Sequence, residues 1–367
     1  MKSKAAVLYE PGRPMVIEEI EVADPKQGEV MVRVVGAGVC HSDLHVASGA
    51  LPKPMPIVLG HEGAGVVERV GPGVTGLEPG DHVVFNIAPQ CNRCHYCNNG
   101  LPHLCLGYGQ MAATGTMMDG TTRMRTASGQ PIHHWTCVSC FSEYVVVPEF
   151  GAVKVRQDVP LDTAALVGCA VLTGIGATRR TAKVRASESV AVFGCGGVGL
   201  NAIQGAKLAG AYPLIAVDIS EEKLALARRF GATHTVNGRE LDPVAAIRSI
   251  TTYGADWAFE VIGREQTIQQ AFQAVGPRGT VVVVGMGPLG STVALPILDF
   301  VAEKSIKGCF YGSARVQTDI PQLLDWAVTG RIDLEGLVSR RMKLEEINEA
   351  FDLLRQGDGV RTLIALG

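Results

Sequence analysis

Two hydrophobic patterns divide the chain. Up to about Val147, short runs of β-type residues such as Val16–Val22, Glu29–Val35, Gly65–Val70, Asp81–Phe85 and Tyr144–Val147 are separated by breakers. Asp24-Pro25, Gly71-Pro72-Gly73 and Glu78-Pro79-Gly80 are examples. Short strands at such spacing predict a small antiparallel barrel or curved sheet, with chemistry carried on the connecting loops. From about Asp162 the pattern changes to strand-length apolar runs alternating with helical ones. Strands are expected at Ser189–Phe193, Leu214–Val217, His234–Val236, Trp257–Val261, Thr280–Val284 and Ile306–Phe310. Helices are expected at Leu200–Leu208, Glu221–Phe230, Pro243–Ile250 and Gln266–Val275. Strand–helix alternation of this length predicts a doubly wound parallel sheet. The tail from Ile320 holds two more helical patterns and a final strand at Thr362–Ala365, which could return to the first domain. Gly107 to His134 shows no clear period and reads as a long polar loop.

At 367 residues the chain exceeds what one hydrophobic core usually serves, so two domains are expected. A net charge of −3 implies no nucleic-acid partner. Apolar runs such as Val281–Val284 fall far short of the ~20 residues a membrane helix needs. Met1-Lys2-Ser3-Lys4 is not followed by an apolar leader, so a cytoplasmic location is expected. Ten cysteines in so long a chain, four of them clustered, read as reduced thiols.

Three stretches carry candidate chemistry. Cys40-His41-Ser42-Asp43 and Gly60-His61-Glu62-Gly63 bring a thiol, an imidazole and a carboxylate into one span. These are donors zinc prefers, although a buried Cys and a core His would look the same in isolation. Cys91, Cys94, Cys97 and Cys105 are spaced C-x2-C-x2-C-x7-C. Four thiolates can enclose one tetrahedral zinc with no open position, and an iron–sulfur cluster is the alternative. His95 reads as a solvated spacer, and Cys137 and Cys140 as buried thiols. Finally, Gly194-Cys195-Gly196-Gly197-Val198-Gly199 stands between a strand and a helix, and Asp218 ends the next strand. Here the glycines allow backbone to approach a pyrophosphate at the helix N-terminus, and the acid reaches ribose hydroxyls.

In order and spacing these motifs resemble the zinc-dependent medium-chain alcohol dehydrogenases, almost end to end. The resemblance is to forms with a structural-zinc lobe, typically dimers, so a homodimer is expected. It implies a GroES-like, mostly β catalytic domain over residues 1–170, completed by 312–367, and a Rossmann NAD-binding domain over 171–311. It assigns Cys40, His61 and Cys169 to a catalytic zinc, with Glu62 behind the metal, and the four clustered cysteines to a structural zinc. Local reasoning does not select Cys169 over Cys137 or Cys140. The resemblance does so through Gly168-Cys169-Ala170, and a Cys there, where sorbitol-type relatives carry Glu, favours an alcohol dehydrogenase.

The resemblance further gives Ser42 and His45 as a proton relay, and His41, Thr173, Gly194, Gly196, Gly197, Val198, Gly199, Asp218, Lys223 and Arg361 as cofactor contacts. Leu51, Ile87 and Trp135 would wall the substrate channel. The implied activity is reversible, NAD-dependent oxidation of a primary aromatic, allylic or medium-chain alcohol to its aldehyde. Two alternatives are a form that never releases its NAD and a formaldehyde dehydrogenase acting on a thiol adduct. The second carries an Arg at the place of Gly109 and acids where this chain has Ala50-Leu51-Pro52.

Overall fold

The Glu29–Gly38 strand organises the N-terminal half, because three segments distant in sequence pair with it. In the computed structural model, which describes residues 1–366, it runs antiparallel to Glu62–Val70, to Tyr144–Pro148 and to Arg361–Ala365. Its last residue, Gly38, lies opposite both Glu62 and Leu363. A Cβ at Gly38 would stand 2.7 Å from Glu62 Oε2, so only glycine lets the strands close here. That register delivers Cys40, His61 and Arg361 to one place.

A closed barrel of Lys2–Leu8, Val16–Val22, Met124–Thr126, Pro131–His134 and Ile57–Val58 packs with this sheet over a shared apolar core including Leu8, Ile20, Met31, Phe85, Phe141 and Phe351. These belong to one compact unit, Met1–Cys169 with Arg315–Gly367; the other is Ala170–Ala314.

The second unit is a parallel sheet in the order His234–Asn237, Leu214–Asp218, Val190–Phe193, Ala255–Glu260, Val275–Val283, Ser305–Gly308. Numbered along the chain this is 3-2-1-4-5-6, the doubly wound order, whose reversal point lies beside the first strand. Local signals set its helices. Ser220 Oγ accepts the Lys223 N–H at the start of Glu221–Phe230, and Asp242 caps Pro243–Thr251, with proline at the first turn. Among the described residues no single helix is long and apolar enough to cross a membrane.

The stretch Gly107–His134 differs from the loop expected. It folds as the helix Leu106–Thr114 and the hairpin Met124–Thr126/Pro131–His134. Gly107 and Gly109 mask the helix in the sequence, and strands of three and four residues are too short to show a period. The segment is held instead by an ion cluster around the buried Arg123. Arg123 donates to Glu29 Oε2 at 2.7 Å and to Asp119 Oδ2 at 2.9 Å, and its backbone N–H donates to His134 Nε2 at 2.9 Å.

His134 is 2% exposed, and burial, reinforced by the Arg123 charge, pushes its pKa down to about 3. Because the folded value lies below the unfolded one, only the unfolded chain takes up a proton as pH falls below about 6.5. Stability is therefore full above that pH and declines beneath it, by about 2 kcal/mol at pH 5. His134→Gln, whose Oε1 can still accept the Arg123 N–H, is expected to remove this decline. Urea midpoints measured from pH 7 to 5 check it; parallel curves for the two proteins would refute it.

Candidate active site

Cys40 leaves the Glu29–Gly38 strand and opens the helix His41–Ala47. Asp43, on the first turn of that helix, is fully buried and satisfies three groups. It accepts the Cys40 N–H at 3.3 Å and the Gly60 N–H at 3.1 Å, and lies 2.9 Å from His61 Nδ1. Gly60 adopts φ +88°, and a Cβ there would meet the Phe141 backbone at 2.7 Å, so this turn requires glycine. His61 thereby joins Cys40 and Cys169. The three ligand atoms lie within 4.8 Å of one another, and all three residues are buried. Cys169 follows the Ala165–Gly168 turn, where a Cβ on Gly168 would strike Phe85 O at 2.9 Å.

Electrostatics favour a thiolate at Cys40. The hydrogen bond with Cys169 holds Cys40 well below the usual thiol value despite burial, and the His61 and Arg361 charges help. Cys169 is correspondingly driven well above it, by that same bond and by burial. Burial opposes charge on His61, but Asp43 and Cys40 together lift its pKa well above normal. Glu62 is fully buried, with Oε2 3.6 Å from Arg361 Nε, itself on a 4% exposed residue. Two soft sulfur donors and an imidazole with one nitrogen against a carboxylate, three ligands where a closed site has four, suit a catalytic zinc.

The four-cysteine loop forms a second group, again with ligand atoms within 4.8 Å. Backbone N–H groups point at its sulfurs: Cys91 N–H reaches Cys105 Sγ at 3.2 Å, and bonds from the Cys97 and Leu106 backbone bring Cys94 down to about 6. A closed set of four thiolates suits a structural zinc. His95 is exposed and outside the group, and Cys137 and Cys140 are buried outside both groups.

Ser42 and His45 are three residues apart on the His41–Ala47 helix, hence on one face, and Ser42 Oγ is 3.9 Å from Cys40 Sγ. His41 is exposed at the helix start. Trp135 is 5% exposed and Ile87 8%, while Leu51 is partly buried against the core. The Trp135 ring stands edge-on to His61, centroids 6.1 Å apart, with Nε1 3.2 Å from His61 Nδ1.

In the second unit, Gly194 has φ +99°, and a Cβ on Gly199 would sit 1.8 Å from Gly194 O. A Cβ on Gly196 would meet nothing within 4 Å, leaving space above the Gly197–Leu208 helix N-terminus. This open cradle with a free helix start fits a dinucleotide pyrophosphate. Asp218 closes the neighbouring strand, with Oδ2 accepting the Cys195 N–H at 2.7 Å and Oδ1 the Ile219 N–H at 2.7 Å. Val198 and Thr173 lie on the helices Gly197–Leu208 and Ala170–Gly176, and Lys223 on the first turn of Glu221–Phe230.

The sequence reading missed Asp43, whose signal was its position three residues after Cys40. Arg361, expected at the cofactor, has its guanidinium 3.6 Å from Glu62 and close to the thiols.

Fold, metal centres and nucleotide loop together define a zinc-dependent medium-chain alcohol dehydrogenase, and the chain belongs to that family. Residues 26–157 match the alcohol dehydrogenase GroES-like domain, and residues 197–329 the zinc-binding dehydrogenase domain. Among its relatives are an alcohol dehydrogenase class-3 from Cereibacter sphaeroides, 41% identical over 99% of this chain and 100% of that protein, and an S-(hydroxymethyl)glutathione dehydrogenase from Paracoccus denitrificans, 39% identical with the same coverage. The crystal structure of benzyl alcohol dehydrogenase from Acinetobacter calcoaceticus matches with a TM-score of 0.95 at 36% identity, covering 100% of both chains.

Proposed function

We propose that the protein oxidises primary alcohols with an apolar body, aromatic, allylic or medium-chain, to aldehydes with NAD, and runs the reverse reaction. The observation that carries this reading is Trp135, 5% exposed and edge-on to the ligand His61; Ile87 and Leu51, which the family resemblance sets in the same wall, are likewise apolar and largely buried. When bound, zinc supplies the Lewis acid that makes an alcohol acidic, and NAD accepts its hydride. Ser42, whose Oγ lies 3.9 Å from Cys40 Sγ, accepts the substrate hydroxyl proton as it gives up its own, and His45 passes a proton toward solvent. Asp43 fixes the His61 ring throughout. Trp135 and Ile87 exclude water and bind the substrate body.

A second reading, oxidation of the formaldehyde–glutathione adduct, is supported by the name of the P. denitrificans relative, an S-(hydroxymethyl)glutathione dehydrogenase. The benzyl alcohol dehydrogenase supports the first. Gly109 and Ala50-Leu51-Pro52 argue against the adduct, since they leave its charged groups without the partners that branch provides.

The experiment is kcat/KM with NAD across ethanol, butanol, hexanol, benzyl alcohol, glycerol, and formaldehyde with glutathione. Each further buried methylene should raise kcat/KM roughly fourfold, from about 0.8 kcal/mol. A best rate with the glutathione adduct moves the assignment to the second reading; a best rate with ethanol or glycerol defeats the apolar pocket.

A further inference from the structure

Lys53 lies in the loop Leu51-Pro52-Lys53-Pro54, stiffened by a proline on each side. It makes no ion pair with a carboxylate among the described residues. Its Nζ instead donates to Ala112 O at 2.6 Å, on the helix Leu106–Thr114 that follows the last cysteine of the four-cysteine loop. The same Nζ stands 5.4 Å from the centroid of the Trp135 ring. Trp135 in turn meets His61 edge-on. One cation thus joins a helix beside the four-cysteine loop to an indole that touches a metal ligand.

Two further features show how tightly that indole is constrained. After Trp135 the backbone takes φ +51° at Thr136, +61° at Cys137 and +58° at Ser139, all non-glycine residues in the left-handed region. Such positions are strained for residues with a Cβ and persist where the surroundings enforce them. Ser139 Oγ accepts the Trp135 N–H at 2.8 Å, and Met111 of the same helix packs its sulfur 3.5 Å from Cys137 Sγ. Backbone and helix fix the base of Trp135, and Lys53 is the cation on its ring. Burial lowers the Lys53 pKa, so the charge sits there at some cost and without a counter-ion.

We propose that Lys53 is a positioning residue of the substrate pocket: pinned to Ala112 O, its ammonium holds the Trp135 ring against His61 and so sets the width of the apolar channel. The consequence for substrates rests on the reading above that Trp135 is a pocket wall. The packing consequence does not.

Two measurements on the zinc-loaded protein separate these. In a Trp257→Phe/Trp326→Phe background Trp135 is the sole indole of the chain's three. Lys53→Met, which keeps the apolar stem, is expected to raise acrylamide quenching of Trp135 by roughly two- to fourfold, and Lys53→Arg, which keeps a cation over the ring, to restore it. Quenching unchanged in Lys53→Met overturns the proposal, whatever the enzyme's substrate. In turnover, Lys53→Met should raise KM for hexanol and benzyl alcohol roughly three- to tenfold with a smaller change in kcat, and a smaller loss on ethanol, with rescue by Arg. Loss confined to a carboxylate-bearing alcohol such as 4-(hydroxymethyl)benzoate would make Lys53 an anion contact and overturn the positioning role. If the unsubstituted enzyme itself prefers the glutathione adduct, the proposed function fails while the quenching result still decides the role of Lys53.

Discussion

Asp43→Asn is expected to weaken zinc at the Cys40–His61–Cys169 site by roughly 10- to 100-fold and to lower kcat/KM by a similar factor, leaving the four-cysteine site unchanged. The carboxylate uses both oxygens. Oδ1 accepts the Gly60 N–H at 3.1 Å and lies 2.9 Å from His61 Nδ1, while Oδ2 accepts the Cys40 N–H at 3.3 Å. An amide keeps one acceptor and turns an NH₂ toward a donor, so at least one buried N–H loses its partner, at about 1–3 kcal/mol. The loss of charge also lowers the basicity of the imidazole that must face the metal. The residue is fully buried, so water cannot substitute for the lost acceptor. Chelator competition with a chromogenic zinc dye resolves the two metals by their release. Equal release of both from the variant and the unsubstituted protein would show that Asp43 does not support the metal.

How far the site could be read from sequence depends on the distance along the chain. The four cysteines declare themselves because their ligand group closes within Cys91–Cys105, and Gly194–Gly199 because strand, glycines and helix are contiguous. Cys169 does not, because its approach to Cys40 and His61 follows from long-range packing that no local pattern encodes. From sequence alone Cys137 and Cys140 are equal candidates with it. Cys137 instead meets the Met111 sulfur, and Cys140 fills the space beside Gly63, where a Cβ would lie 2.8 Å from its sulfur. Asp43 was invisible as a partner of His61 for the same reason, since the two are separated by a loop and meet only when Gly38 comes opposite Glu62. The parallel sheet is legible because its inner strands are largely buried on both faces and read as continuous apolar runs, as at Val190–Phe193. The helix Leu106–Thr114 is not. Its buried contact is Met111 alone, and tertiary bonds such as Lys53 to Ala112 O help to hold it where glycine-rich local propensity argues against helix.

Preference for NAD over NADP is expected to reach two to three orders of magnitude in kcat/KM, and Asp218 is its cause. The carboxylate is fixed by backbone donors from two segments, Cys195 N–H on Oδ2 and the Ile219 and Ser220 N–H groups on Oδ1 at 2.7 and 3.0 Å. It cannot swing away from a group placed at the end of the Leu214–Asp218 strand, which is where a ribose 2′ substituent is read in this fold. A 2′-phosphate about 4 Å from it would be repelled by roughly 4 kcal/mol at the effective dielectric of a protein surface, close to a factor of 10³. Ile219-Ser220-Glu221-Glu222 offers no arginine to offset that, and its two glutamates add to the repulsion. Asp218→Asn removes the charge while retaining one acceptor for the loop. It should lower kcat/KM with NAD, through lost ribose bonding, and raise it with NADP, until the two differ by about tenfold or less. Initial rates with both cofactors on one alcohol decide the matter: an unsubstituted enzyme that uses NADP within tenfold of NAD would remove Asp218 from cofactor selection.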